Sequence, residues 1–273
     1  NSILVGILAL IAGIILTAVL LELGHLFGAK IGRYRIDKFS VLGFQWKRKK
    51  ESKKFRFSFS FSYDGITGET MMAPKDIEKS NPRHAIYFPL LFLLLEAAIC
   101  VTLMVLGVSL RKENSAWQLA YIFGLVILTI ALMIHLYNIF PAALDAKNDG
   151  YLITILNNQT NVIAYNALLL ADEKAMFGEP APELPVYSEV TNFTNALNQV
   201  SIYHALEEKD IEKALTINEY TIKAQNHVSK NVYQNAMAQK LSLKLLYGDF
   251  QEAKELYINL PLETKKFIAN LST

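Results

Sequence analysis

Residues 1–25 read NSILVGILALIAGIILTAVLLELGH, and the first 21 of them, which contain no charged residue, decide the fold. A helix crosses a hydrocarbon core of ~30 Å in about 20 residues, so this run is long enough to span a bilayer. Two later stretches share the property: residues 84–110 carry a single Asp, Glu, Lys or Arg, namely Glu96, and residues 115–144 carry none. Three transmembrane helices are therefore expected, at about residues 3–27, 84–110 and 116–140. Over 273 residues the composition is 52% hydrophobic and 19% charged, too apolar for a purely soluble enzyme. Cys100 is the only cysteine, which excludes a small disulfide-built secreted domain. The first run is too long for a signal-peptide core, lacks a basic leader and meets no small-residue cleavage site, so it is read as retained. The missing initiator Met is read as a trimmed or engineered start.

The formal net charge of +2 hides an asymmetry. Residues 31–83 hold 13 Lys/Arg against 6 Asp/Glu, including the run Lys47, Arg48, Lys49, Lys50, Lys53 and Lys54. Basic residues next to spans favour the cytoplasmic side, so this loop is predicted to be cytoplasmic and the turn Arg111, Lys112, Glu113 to lie outside. Everything after Leu144 is then cytoplasmic, with 11 Lys/Arg against 16 Asp/Glu. The basic run is confined to one loop, so nucleic acid is not expected as a partner. Anionic lipid headgroups are, which makes the lipid bilayer itself a partner.

Within the loop, Phe55, Phe57, Phe59, Phe61 and Tyr63 alternate with Arg56, Ser58, Ser60 and Ser62. This period of two places five aromatics on one face of a strand. Residues 39–46 are the expected partner strand, with the charged run as the hairpin tip. The aromatic face has two destinations, the bilayer interface or the top of the helical bundle. An open strand edge near a membrane site also has a functional reading, the binding of an extended peptide by backbone pairing.

The fold class expected overall is membrane α-helical: three transmembrane helices with a β-hairpin-containing cytoplasmic loop, then a soluble, tetratricopeptide-like α-helical domain. After Tyr151, the polar group Asn157, Asn158, Gln159, Thr160 and Asn161 interrupts an apolar segment and argues against a fourth span, leaving a membrane-associated helix pair. The membrane core is assigned to residues 1–170. Pro180, Pro182 and Pro185 mark a linker over residues 171–189, and residues 190–273 form the helical domain. The stretches beginning at Glu208 and Tyr247 resemble each other, with Asp210 and Asp249 39 residues apart and an Ala at matching positions. That is near the 34-residue helix-turn-helix repeat, whose stacked pairs make binding grooves, although a plain helical bundle also fits. A cytoplasmic protein or peptide partner is expected there.

Polar chemistry gathers at two places. Glu22 and His25 stand at the inner end of the first span, where a buried charge costs about 2.5–3.5 kcal/mol and is usually functional. The bland reading is a polar span end exposed to headgroups. At the end of the third span, Pro141 ends or bends the helix and Asn138 can bond freed backbone groups. This delivers Asp145 or Asp149 to the membrane face that carries His25. Imidazole and carboxylate ligands suit zinc, with a second carboxylate to activate water.

Leu21-Glu22-Leu23-Gly24-His25-Leu26 resembles the His-Glu-x-x-His motif of site-2 protease-type intramembrane zinc metalloproteases. Asn138-x-x-Pro141 followed by Asp149-Gly150 resembles that family's second motif, and the order of the motifs and the β-rich loop between them also fit. The resemblance covers about residues 1–170 and implies an integral protein of the bacterial cytoplasmic membrane. The implied activity is a Zn2+ endopeptidase cleaving transmembrane or membrane-adjacent segments of proteins or peptides, unwound before cleavage. It makes Glu22 the catalytic base and His25 and Asp149 metal ligands. Asp145, which follows Leu144 as in many relatives, is the alternative ligand, although Gly follows Asp149. Asn138 would stabilise the polarised carbonyl or align a substrate strand.

One departure is serious: Leu21 stands at the first zinc-binding histidine. Two histidines one turn apart grip a metal, whereas His25 and one aspartate hold zinc poorly. His135 is not expected to substitute, because it lies 14 residues before Asp149, about 21 Å along a continuing helix. The chain is then either a protease inactivated at position 21 or a natural pseudoprotease acting as a non-catalytic membrane binding protein. A small transporter using Glu22 and Glu96 has no inverted repeat to support it. Glu96 itself reads as a gate or proton carrier, or as an acid bonding a neighbouring helix.

Overall fold

The computed structural model describes residues 2–50, 54–60, 68–110, 114, 116–141, 148–180, 182–248 and 250–271. Phe61, Tyr63, Asp145, Asp249 and the turn at 111–113, singled out above, lie outside the described residues. The chain divides into two compact units, Asn1–Asn157 with Asp172–Pro180, and Asn158–Ala171 with Ala181–Thr273. Against the expected linker over residues 171–189, residues 158–171 group with the second unit and residues 172–180 with the first.

The first unit opens with α1 (Ser2–Ile31) and continues through β1 (Tyr34–Val41), β2 (Phe44–Arg48), β3 (Phe55–Phe59) and β4 (Gly68–Pro74). Helices α2 (Arg83–Leu110), α3 (Trp117–Ile139) and α4 (Asp149–Ile155) follow, then the C-terminal part of α5 (Gln159–Met176). Among the described residues three helices, α1, α2 and α3, are long and apolar enough to cross a membrane. Of their most apolar windows only 22%, 17% and 22% of residues are buried, so most of the apolar side chains face outward.

What brings these helices together is small residues. A Cβ on Gly24 would lie 2.6 Å from the Pro89 Cα, and one on Gly28 would lie 2.2 Å from the His84 carbonyl oxygen. Gly24 and Gly28 are thus a small-xxx-small pair that lets the backbones of α1 and α2 meet. Deeper in the bundle, the Thr17 hydroxyl donates to Glu96 Oε1 at 2.7 Å, both side chains being buried. Of the two readings of Glu96, the structure displays the bond to a neighbouring helix.

The four strands form one antiparallel sheet in the order β3-β2-β1-β4. The single strand expected over residues 39–46 is two strands, joined by a two-residue turn at Leu42 and Gly43. Both turn residues have positive φ, as a tight hairpin of this kind requires, and Gly43 makes it accessible. Of the basic run, Lys47 and Arg48 lie in β2, Lys53 lies outside the described residues, and between β2 and β3 the Lys49 N–H donates to the Lys54 carbonyl. Strand β4 had no periodic signal. Phe44 stands opposite Phe59 and Trp46 opposite Phe57, with ring centroids 5.0 and 5.3 Å apart. Phe44, Phe55, Phe57 and Phe59 remain exposed, so among the described residues of the first unit no helix covers this face.

A partly buried ion-pair cluster fastens the sheet to the end of α5. Arg35 and Arg48 both donate to Glu173, and Arg48 Nε donates to Asp37 Oδ1 at 2.7 Å. Burial pushes the Asp37 carboxyl up, and the Arg48 guanidinium opposes that shift. The Arg48 guanidinium also lies 4.9 Å from the Phe177 ring centroid.

The second unit contains α6 (Asn192–Glu207), α7 (Ile211–Lys223), α8 (Lys230–Tyr247), α9 (Phe250–Asn259) and α10 (Leu262–Leu271), with α6 to α9 each packing on the next and α10 packing against α8. Its core gathers Ile202, Ala205, Ala214, Ile217 and Leu243. The two similar stretches enter α7 and α9, and Ala214 and Ala253 are both fully buried. Asp210 caps α7 by accepting the Lys213 N–H at 2.9 Å.

Candidate active site

Three of the residues predicted to act together, His25, Asp149 and Asn138, are in direct contact. Glu22 lies three residues before His25 on α1. Glu22 is 3% exposed and accepts the Thr70 hydroxyl of β4 at 2.8 Å. Gly68 of the same strand leaves room for its Cγ, so β4 runs across this carboxyl. Such burial removes the reading of Glu22 as a headgroup-exposed span end.

His25 Nδ1 lies 3.0 Å from the carbonyl oxygen of Ala85 on α2. A carbonyl only accepts, so Nδ1 carries the hydrogen of this contact and Nε2 is the nitrogen left for another partner. That nitrogen is 3.5 Å from Asp149 Oδ2. Two ligands of one tetrahedral zinc, bonded at about 2.0–2.2 Å, stand about 3.4 Å apart. The pair therefore has the spacing of two corners of such a site. Leu21 is buried and offers no donor, and among the described residues no group of three or more His, Cys, Asp or Glu is placed to hold a metal. The donor set fits half of a zinc site and does not complete one.

Asp149 reaches His25 because the chain doubles back. Helix α3 ends at Ile139, and Phe140 is extended, as the residue before Pro141 must be. Asn148 then staples the reversal: its amide donates to the carbonyls of Tyr137 and Phe140, and its Oδ1 accepts the Tyr151 N–H at the start of α4. Gly150 is required there, since a Cβ would lie 1.8 Å from the Ile139 carbonyl oxygen. Asn138 donates to Asp149 Oδ2 at 2.6 Å, so its amide clamps the aspartate. Burial pushes the Asp149 carboxyl up, while His25 and the Asn138 donation oppose the shift.

The same reversal shortens the distance expected between His135 and Asp149. The figure of about 21 Å supposed a continuing helix, whereas Asp149 is hydrogen-bonded to Asn138, three residues from His135. The His135 ring is 2% exposed and bonds the Ala131 carbonyl through Nδ1, and among the described residues it joins no group placed to hold a metal. Thr70, Ala85 and Asn148 escaped the sequence reading. Only Asn148, a capping residue type just before Asp-Gly, carried a local signal.

Comparisons with protein-family models, with curated proteins and with solved structures each return no match for this chain.

Proposed function

We propose that this chain has the scaffold of an intramembrane zinc endopeptidase of the site-2 protease type and that, with Leu21, it does not cleave. The observation that carries the reading is the 3.5 Å approach of His25 Nε2 to Asp149 Oδ2, from α1 and α4, in the neighbourhood of buried Glu22. His25 and Asp149 would hold the metal, and a donor at position 21 would supply the third protein ligand. Bound zinc would lower the pKa of a water and polarise the scissile carbonyl. Glu22 would take the proton from the water and hand it to the leaving amine, with Thr70 holding its carboxyl in place. Asn138 would keep Asp149 in register.

The substrate would be a transmembrane or membrane-adjacent segment in extended form, because a helix hides its carbonyls in its own hydrogen bonds. The protein would sit in the bacterial cytoplasmic membrane with the basic loop and the second unit in the cytoplasm. There the helical hairpins would bind a protein or peptide partner in tetratricopeptide fashion. The exposed aromatic face beside Lys49 and Lys50 suits an anionic bilayer interface. A second reading, a natural non-catalytic binding protein, is favoured by the close packing of Leu21, which is 4% exposed.

The test compares this chain with Leu21→His and with Leu21→His combined with Glu22→Gln, in lipid nanodiscs. Zinc content and cleavage of a fluorogenic transmembrane peptide with a central Gly-Pro break are measured. Leu21→His is expected to bind one zinc and cleave, and the double variant to bind zinc without cleaving. If Leu21→His neither binds nor cleaves, the protease reading falls and the binding-protein reading stands. One zinc per chain with Leu21 in place would overturn the requirement for a third ligand.

A further inference from the structure

We propose that Pro89 is a positioning residue for His25 and that it acts through the hydrogen it lacks. In an α-helix the carbonyl of residue i is taken by the N–H of residue i+4. For Ala85 that residue is Pro89, which lies inside α2 and has no N–H. The Ala85 oxygen is thereby left to an outside donor, and the His25 imidazole is that donor, with Nδ1 at 3.0 Å.

Donor and acceptor meet because the helices touch at backbone level. Gly24, next to His25, is the residue whose Cβ would strike Pro89 itself. Gly28, one turn on, is the residue whose Cβ would strike His84 and Ala85. Two glycines on α1 thus face the proline and the residue, Ala85, whose carbonyl the proline releases. With Nδ1 held on α2, Nε2 is left facing Asp149.

A metal-bound histidine needs such an acceptor on its other nitrogen, usually a carboxylate or a backbone carbonyl. At this depth a carbonyl serves without adding a buried charge. Any other residue at position 89 brings an N–H that competes for the Ala85 oxygen. His25 is then free to turn or to change tautomer. The purpose of this arrangement rests on the reading of His25 as a metal ligand, but its geometry is testable without metal.

The test uses the full chain with 15N-labelled histidine in metal-free lipid nanodiscs, the His25 signals being assigned by their loss in His25→Asn. Imidazole nitrogen shifts separate a protonated from a bare nitrogen. Three proteins are compared: the parent, Pro89→Leu, and a chain carrying leucic acid at position 89, whose ester oxygen, like proline, offers no hydrogen. The parent is expected to show one state with Nδ1 protonated and hydrogen-bonded, Pro89→Leu a loss of that single state, and the ester chain its return. A single unchanged tautomer in Pro89→Leu overturns the proposal. Failure of the ester to restore the state also overturns it, because the ring rather than the missing N–H would then be responsible. Should Pro89→Leu lose its helical circular dichroism, Pro89→Ala, which adds the same N–H with a smaller side chain, is judged by the same two criteria. In the Leu21→His background, Pro89→Leu is further expected to weaken zinc binding by about 10- to 100-fold. Absence of zinc binding in Leu21→His itself would remove the protease reading and leave the tautomer result standing.

Discussion

Helices α2 and α7 expose opposite kinds of side chain. Helix α2 turns Leu91, Leu94, Leu95 and Ile99 outward and buries Ala85, Ile86, Pro89, Glu96, Cys100 and Gly107. Helix α7 turns Glu212 and Thr216 outward and buries Ala214 and Ile217 together with Asn218 and Thr221. In water, burying apolar area is worth about 25 cal/mol per Å2, and that gain holds the second unit together. Between lipid-covered helices the gain is absent, so close packing at glycine and alanine and a few interhelical hydrogen bonds must serve. The same amino acid therefore has a different energetic meaning in each unit.

The sharpest break of this comparison is one kind of truncation made twice. Ile202→Ala removes a fully buried side chain from the core of the second unit and is expected to cost about 2–5 kcal/mol. Leu94→Ala, on the outward face of α2, is expected to stay within about 0.5 kcal/mol. Hydrogen exchange of α6–α8 reads the first and tryptophan fluorescence the second, because both tryptophans, Trp46 and Trp117, belong to the first unit. Equal costs would mean that α2 is covered by protein rather than by lipid.

Next in size is Gly28→Ala. Its new methyl meets the His84 carbonyl oxygen, a backbone atom that cannot swing away, so the cost is expected at the upper end of the ~1–3 kcal/mol range for overpacking. Gly6→Ala, with nothing within 4 Å, is the control and should be silent in the same fluorescence-monitored denaturation. In the second unit Asp210→Ala removes a cap and is expected to cost about 1 kcal/mol, read by thermal unfolding in circular dichroism.

The two units also differed in how much of them the sequence disclosed. Uncharged runs announce a lipid-facing helix directly, because a bilayer imposes length and composition together. The expected spans therefore lie within a few residues of α1, α2 and α3, the main difference being that α1 runs on to Ile31. The period-2 aromatics likewise located β3, yet the turn at Leu42 and Gly43 was hidden because the residues around it are β-formers on both sides. In the candidate site, Glu22 and His25 stood out because ionisable groups at span ends are costly, and Asp149 was preferred to Asp145 through the resemblance of Asp149-Gly150 to a family motif. The bonds that orient them were not legible, since Ala85 acts through its carbonyl and Pro89 through a missing hydrogen, neither of which has a side-chain signature. His135 was misplaced for a related reason: linear spacing cannot foresee a reversal stapled by Asn148. In the second unit Ala214 and Ala253 were found by their matching positions, a local regularity, while the paired bonds of Asn198 to the Tyr187 backbone depend on tertiary contact alone.

The smallest effect separates the two readings of Glu96. Thr17→Val keeps the shape of the side chain and deletes the hydroxyl that donates to Glu96 Oε1. Interhelical bonds of this kind are worth about 0.6 kcal/mol on average and about 1.7 at most, so the variant should shift fluorescence-monitored denaturation only slightly. Glu96→Gln preserves an oxygen for Thr17 and should be smaller still, within about 0.5 kcal/mol. If Glu96 only ties α2 to α1, Glu96→Gln should also leave any activity gained by Leu21→His unchanged. A gate or proton carrier would lose that activity with its stability intact, because an amide accepts the same hydrogen bond but cannot release a proton. Stability and activity measured on one variant therefore tell a helix tie from a carrier, even though both place the same carboxyl beside the same threonine.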